Sequence, residues 1–320
     1  MTAEPKSLQE AVLYFSNPDN CIDYLALRRW PDGKVICPGC GSEGVSFNAK
    51  RRTWKCSKHH AKREFSIKVG TVMEDSAIPL DKWLVAMWMI LNCKNGVSSC
   101  EIAKAVRVSQ KSAWFMLHRI RLTMQDEFFG SKLGGEVEVD ETYIGGKARN
   151  MHMAARKRRI TGRVQDDKST VMGFLERGGK VRTAIVKDRY AATLHPQVKE
   201  NVQAGAVLYS DALYGYRGLE EEYKHRVIDH AVQYVDGRVH TNGLENFWSL
   251  LKRSLGGTYV SVEPFHLFRY LDEQSFRFNY RGTKENPLTD ADRFSIAASQ
   301  LVGKRLTFAQ LTGKGGETVN

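Results

Sequence analysis

Apolar residues recur at helical spacing over residues 1–30 and 78–125, then switch to alternation after Gly134-Gly135. Leu8, Val12 and Phe15 fall at i, i+4 and i+7, a short helical lead that the turn signal Pro31-Asp32-Gly33 closes. Trp83, Leu84, Met87, Trp88 and Leu91 share one helical face, and Gly96 ends that pattern. Ser98 or Ser99 can cap a second helix over Glu101 to Val106, and Ser109 a third from Gln110 to about Met124.

Beyond Gly135 the alternation predicts strands over Glu136 to Ile144, Val171 to Leu175 and Val181 to Lys187, the last two joined by the turn Arg177-Gly178-Gly179-Lys180. Residues 191–203 are weakly helical, Ala206 to Tyr209 reads as a buried strand, and Val227 to Val232 as another. A helix starting at Asn242 splits into two faces: Leu244, Phe247, Trp248, Leu251 and Leu255 are apolar, while Asn242, Glu245, Ser249 and Lys252 are polar. A final helix near Pro264 to Asn279 presents Phe265, Leu267, Phe268, Leu271 and Phe276, and the remaining residues carry less pattern.

Charge changes this picture more than composition does. Lys and Arg outnumber Asp and Glu by 48 to 36, a net charge of +12, which favours a polyanionic partner through phosphate neutralisation. No run approaches the ~18–20 apolar residues of a membrane span, and the N-terminus has no apolar signal core. The expectation is a cytoplasmic, nucleoid-associated protein without a membrane partner.

Three of the six cysteines are spaced for metal: Cys37-Pro-Gly-Cys40, then fifteen residues to Cys56, with His59 at x2 and His60 at x3. Cys37, Cys40, Cys56 and His59 are the expected ligands of a structural zinc, with His60 left open. Four protein ligands leave no position for chemistry, and so short a segment needs a metal staple to fold. Arg51, Arg52 and Lys55 crowd this ribbon and are candidates for phosphate contact. Residues 99–122 fit a helix-turn-helix carrying Lys111 and Arg119, although a helical hairpin in a core has the same pattern. A basic stretch with Arg156, Lys157, Arg158 and Arg159 interrupts two strands and is suited to tracking a phosphate backbone, as is Arg253.

Two acids follow apolar strand patterns: Asp140 ends V-E-V-D, and Asp211 follows the run Ala206 to Tyr209. A carboxylate at the end of a buried strand lies where open α/β sheets place ligands. Phosphoryl transfer in nucleic acid needs little beyond two hard cations held ~3.5–4 Å apart, which two aspartates plus a Glu or Asn would bind. Lys252, two turns after Glu245, is placed to touch phosphate.

V-E-V-D-E-T-Y-I-G-G-K, Y-S-D-A-L-Y-G-Y, H-T-N-G-L-E-N-F-W-S-L-L-K-R and F-R-Y-L-D-E-Q-S-F-R-F-N-Y-R, in that order, resemble bacterial insertion-sequence transposases of the DDE type. The C-P-G-C knuckle and G-T-V-M-E-D-S resemble the group in which a zinc ribbon precedes the catalytic domain. The resemblance covers roughly residues 30–285. It implies an α/β, RNase H-like mixed sheet flanked by helices, two Mg²⁺ ions (Mn²⁺ can substitute), and cutting and joining of DNA at element ends. It assigns Asp140 and Asp211 to the first two catalytic places. Some members carry Asn at the third, which points to Asn242. Glu245 instead matches the separation of the wider superfamily, with Lys252 seven residues later. Glu245 is therefore taken as the ligand and Asn242 as a close neighbour able to replace it.

The domains expected are a helical lead (1–33), a zinc ribbon (34–70), a helix-turn-helix-like region (78–130), the RNase H-like domain (134–285) and a C-terminal tail (286–320). The expected partners are double-stranded DNA, as terminal inverted repeats and target, and further copies of the chain in a dimer or larger assembly on DNA. The alternatives are a zinc-ribbon DNA-binding regulator or domesticated transposase with an inactive acidic pocket, and a nuclease or resolvase that cuts without joining.

Overall fold

The computed structural model describes residues 4–125, 131–145, 152–154, 168–228 and 240–314. The basic stretch from Arg156 to Arg159 and the end of the strand expected at Val227 to Val232 lie outside the described residues. The chain divides into two compact units, Met1–Gln125 with Tyr280–Asn320, and Asp126–Asn279.

The first unit begins with helices α1 (Leu8–Phe15) and α2 (Pro18–Arg29), each started by a side-chain cap, Ser7 and Asn17. A three-stranded antiparallel sheet follows: β1 (Val45–Asn48), β2 (Thr53–Cys56) and β3 (Glu64–Phe65). Its small core centres on Trp54, whose ring lies 5.4 Å from Trp30, 5.0 Å from Phe47 and 6.1 Å from Phe65. Next come α3 (Leu80–Asn92), α4 (Ser99–Val106), which Ser98 and Glu101 start with a reciprocal capping box, and α5 (Gln110–Arg121), capped by Ser109.

Residues 280–314 group with this unit, so the second unit closes at Asn279 rather than at residue 285. Helix α9 (Asp290–Ser299) drives Phe294 fully out of solvent, with ring centroids 4.9 Å from Trp88, 5.3 Å from Tyr24 and 5.7 Å from Phe15. The amphipathic pattern of α9 is short, so its partner was not evident from its own sequence.

The second unit is a five-stranded sheet in the order β6-β5-β4-β7-β8, from β4 (Glu136–Gly145), β5 (Lys168–Glu176), β6 (Val181–Val186), β7 (Val207–Asp211) and β8 (Lys224–Ile228). The first three strands form an antiparallel meander, and β7 and β8 add in parallel beside β4. This is the RNase H-like mixed sheet. One face packs Val137, Val139, Phe174 and Leu208 against Leu194 and Val198 of α6 (Ala191–Asn201). The other packs Val171, Leu175 and Val181 against α7 (Asn242–Arg253), through Leu244, Phe247, Trp248 and Leu251, and against α8 (Leu267–Asn279), through Leu267, Leu271 and Phe278. Fully burying such side chains stabilises by about 1.5–3 kcal/mol each. On α8 the apolar expectation holds for Leu267, Leu271 and Phe276, while Phe265, just ahead of it, is 49% exposed. No described helix is long and apolar enough to cross a membrane.

Candidate active site

Both metal-binding candidates can be built from the strands upward. In the first unit, Cys37, Cys40, Cys56 and His60 place one ligand atom each within 4.8 Å of one another. The Sγ atoms of Cys40 and Cys56 are 3.6 Å apart, and Cys37 Sγ lies 3.4 Å from His60 Nε2. Tetrahedral zinc with bonds of ~2.3 Å to sulfur and ~2.0 Å to nitrogen spaces its ligands by similar distances. His60 Nδ1 faces the Ala61 carbonyl at 3.0 Å, which leaves Nε2 for the metal. His60, not His59, completes the set. The turn after β2 swings His59 out to solvent, so the x3 spacing closes the knuckle. Desolvation would raise the Cys37 thiol, but the amides of Gly39 and Cys40 and the thiols of Cys40 and Cys56 bring it down to about 7. These residues fit a structural zinc.

In the second unit, β4 and β7 run parallel in the register Val137 with Leu208 and Glu138 with Tyr209. Asp140 and Asp211 stand two residues further along each strand. Strands roughly 4.8 Å apart therefore carry the two carboxylates side by side at one sheet rim. Helix α7 crosses this rim, and three contacts fix its position. Buried Glu138, on the same strand face as Asp140, accepts the Leu244 amide at 3.1 Å. Gly243 leaves room for that contact, since a Cβ there would come within 2.8 Å of Glu138 Oε2. Gly173 on β5 admits the Trp248 indole, which a Cβ would meet at 2.6 Å. Trp248 Nε1 then donates to Asp140 Oδ2 at 2.9 Å. Glu245 lies three residues before Trp248, one helical turn away on the neighbouring face.

Arg177 secures the entrance to α7. It pairs with Glu138 at 3.0 Å and Glu136 at 3.2 Å, donates to the His240 carbonyl at 2.6 Å, and lies 4.0 Å over the Tyr209 ring. Neither Glu138 nor Arg177 stood out as functional in the sequence. The available signal was the period-two V-E-V-D pattern, which puts Glu138 on the same face as Asp140.

The acids feel one another. Burial raises Asp140, and Asp211 and Glu245 raise it further against the hydrogen bonds from Trp248 and the Glu141 amide, up to about 6. Burial likewise raises Glu141, joined by Asp211 and Asp140 and opposed by Arg189, to about 8. Crowded, desolvated carboxylates of this kind stabilise a divalent cation and mark a functional site. Their oxygen donors are of the type a hard cation prefers. Among the described residues, only the cysteine cluster gathers three or more ligand atoms tightly enough for a single ion. Asn242 and Glu245 are both exposed on the first turn of α7, and Glu245 adds a charge that acts on Asp140. Exposed Lys252 lines a small cleft of about 200 Å³ with Tyr143, Ile144 and Gly145 at the end of β4. Just beyond, α7 loosens into a π turn, Ser254–Tyr259, and Val260 takes φ 62°, a conformation hostile to a β-branched residue.

The expected DNA contacts divide. Lys55, Lys111 and Arg253 are exposed. Arg51 and Arg52 are also exposed but pair with Glu64 at 3.3 Å and Asp19 at 2.5 Å, links worth little in water. Arg119 is a correction. It is 4% exposed, lies 5.5 Å from the Trp83 ring and 5.1 Å from Phe115, and donates to the Glu74 carbonyl. The second half of α5 is a core element, from Met116 to Arg121, so only its first turn remains available to DNA.

Residues 132–279 match the ISXO2-like transposase domain, and residues 16–60 match a transposase zinc-ribbon domain that ends at His60. A transposase-like protein of Haemophilus influenzae, otherwise uncharacterised, is 33% identical over 101 residues, 31% of this chain and 81% of the relative. The chain belongs to the transposases, with an ISXO2-like domain over residues 132–279. An uncharacterised protein in transposable element ISH50 of Halobacterium salinarum is 27% identical over 252 residues, 75% of this chain and 84% of the relative. The RNase H-like sheet lies within the stretch matched to the transposase domain, and the Cys₃His cluster within the stretch matched to the ribbon.

Proposed function

We propose that this transposase cleaves DNA strands at the ends of its element and joins the released 3′ ends to target DNA, with Asp140, Asp211 and Glu245 holding divalent metal. The observation that carries this reading is the parallel register of β4 and β7, which brings Asp140 and Asp211 level with each other beneath α7, whose Trp248 donates to Asp140 Oδ2 at 2.9 Å. Two Mg²⁺ or Mn²⁺ ions, when bound, would activate the attacking oxygen and stabilise the leaving one. Asp140, oriented through both oxygens by Trp248 and the Glu141 amide, is the central ligand. Asp211, whose Oδ1 accepts the Leu213 amide at 3.1 Å, flanks it on β7. Glu245 approaches from the helix, and Asn242 is its substitute one turn earlier. Lys252 supplies positive charge for the phosphate beside them. The exposed Lys55, Lys111 and Arg253, with Arg51 and Arg52 once released from their surface partners, contribute sequence-independent attraction for the backbone.

Two element ends must be joined in one event, so the working form on DNA is at least a dimer. Asp140→Ala and Asp211→Ala each test the reading. Both variants should bind DNA as the wild type does and lose Mg²⁺-dependent strand cleavage by a factor on the order of 10²–10³ or more, the range for removal of one group that stabilises transition-state charge. Cleavage retained by either variant would remove the mechanism. Wild-type binding without nicking would favour a regulatory role, and nicking without strand transfer a nuclease or resolvase.

A further inference from the structure

On the α6 side of the catalytic strands, the second unit holds an open pocket that the metal chemistry does not use. Its volume is about 580 Å³, within the ~300–1,000 Å³ range of small-ligand sites. Tyr143, Lys168, Lys187, Arg189, Tyr190 and Tyr214 line it. Both catalytic strands lead into it. Tyr143 follows Asp140 by three residues, about 10 Å at ~3.4 Å per residue, and Tyr214 follows Asp211 by the same number.

The lining combines two chemistries. Tyr190 and Tyr214 are 70% and 73% exposed, unusual for large aromatic side chains in a well-packed unit. Tyr214 is held from one side by the Arg217 guanidinium, 4.6 Å from its ring, and Tyr143 is stacked by Arg189 at 5.2 Å. Lys168, Lys187 and Arg189 supply cations around the rings. The nearby carboxylate of Asp188 is occupied at the start of α6, accepting the Tyr190 amide at 3.1 Å and a bond from Thr193. Positive charge around exposed aromatic faces is the composition of single-strand sites, where bases stack and phosphates are neutralised. A base reaches such a pocket only after leaving its duplex stack.

We propose that this pocket receives one unpaired nucleotide of the DNA strand at the acids, with its base against Tyr190 and Tyr214 and its phosphates on Lys168, Lys187 and Arg189. The inference rests on the DNA-cleaving reading above and adds a distortion to it: the duplex opens beside the scissile phosphate, and the pocket stores the displaced base.

The test uses the full zinc-loaded chain without added Mg²⁺. Its probes are a fluorescein-labelled, fully paired duplex and the same duplex with a short single-stranded thymidine tail. The wild type should prefer the tailed probe. Tyr190→Ala and Tyr214→Ala should each weaken binding of the tailed probe by roughly 5- to 150-fold, the range for loss of one stacked base. Binding of the paired probe should stay unchanged, and Tyr214→Phe should keep the preference. A 5-iodouracil placed in the tail should photo-crosslink to Tyr190 or Tyr214 in the wild type, a readout independent of how well the variants fold. Equal affinity for the two probes, alanine variants that keep the preference, or crosslinks confined to other residues would overturn the pocket assignment. Wild-type nicking of paired DNA would then still stand. A wild type that binds neither probe would overturn both readings.

Discussion

The two candidate metal centres solve opposite problems. The Cys₃His cluster collects its ligands from 24 residues of chain, Cys37 to His60, around a sheet whose own core is little more than Trp54 and its neighbours. The carboxylates come from three elements spread over more than 100 residues, Asp140 to Glu245, each already fixed by an extensive core. In the first centre metal makes the fold, and in the second the fold makes a place for metal. The ribbon should therefore collapse without its ion, whereas the acidic site should become more stable if its charges are removed.

The largest effect expected is on the ribbon. Structural zinc of this type contributes on the order of 10–16 kcal/mol of binding free energy. Cys56→Ser, or chelation, should open residues 49–63 to protease while strands β4 to β8 and helices α6 to α8 keep their protection. A ribbon that resists digestion would show that its aromatic cluster suffices, and would break the comparison.

Next is Glu138, where order in the second unit depends on a buried charge rather than a metal. Glu138→Ala removes one of the two carboxylates that Arg177 pairs with and the acceptor of the Leu244 amide, at a cost of roughly 1–3 kcal/mol. Thermal melts should drop accordingly, and strand cleavage should fall with them because α7 loses its seat. An unchanged melting temperature would mean that the apolar face of α7 alone fixes Glu245.

Asp140→Asn should move stability the other way. The folded-state Asp140 is raised from 3.8 to about 6, so between those values the native state holds a proton that the unfolded chain has released. Native stability is therefore lost as pH rises through that window and is not regained above it. The asparagine variant escapes the penalty, up to ~3 kcal/mol at one pKa unit per ~1.4 kcal/mol. Its amide nitrogen must face one of the two donors that Asp140 accepts from, a cost present at every pH, so without divalent metal its melting temperature should gain on that of wild type between pH 4 and pH 8. Added Mg²⁺ should raise the wild type and leave the variant unmoved. A wild type that Mg²⁺ does not stabilise at pH 8 would argue against a cation at these acids.

The smallest effect is at Val260. Relief of its left-handed φ by Val260→Gly should gain about 1 kcal/mol in chemical denaturation, since the side chain is 78% exposed and little packing is lost. A gain in stability with slower cleavage would show that the strained turn helps aim Lys252.

Much of the second unit could be read along the chain because its elements are strongly periodic. The alternation of V-E-V-D and the two-faced pattern from Asn242 to Lys252 report directly which side meets a sheet. The failures share a cause: they depended on what a residue meets across space. Arg119 looks like any cation on a recognition helix until Trp83 and Phe115 enclose it. His59 and His60 differ only in how the turn after β2 resolves, which ligand spacing alone does not decide. Glu138 was one of several acids in a strand, and its role as the acceptor for α7 exists only once that helix has docked. Phe294 lacked a visible destination because its partners, Phe15, Tyr24 and Trp88, lie some 200 or more residues earlier in the sequence.

That last contact has a temporal consequence during synthesis. The whole RNase H-like unit is an insertion within the body that carries the ribbon, and a keystone of that body leaves the ribosome only after that unit has done so. The sheet-bearing half can mature first, while the half proposed to grip DNA waits for its closing helix. A chain cut short before Phe294 would carry a finished sheet unit with an unfinished handle, so the order of folding by itself keeps an incomplete chain from taking hold of DNA.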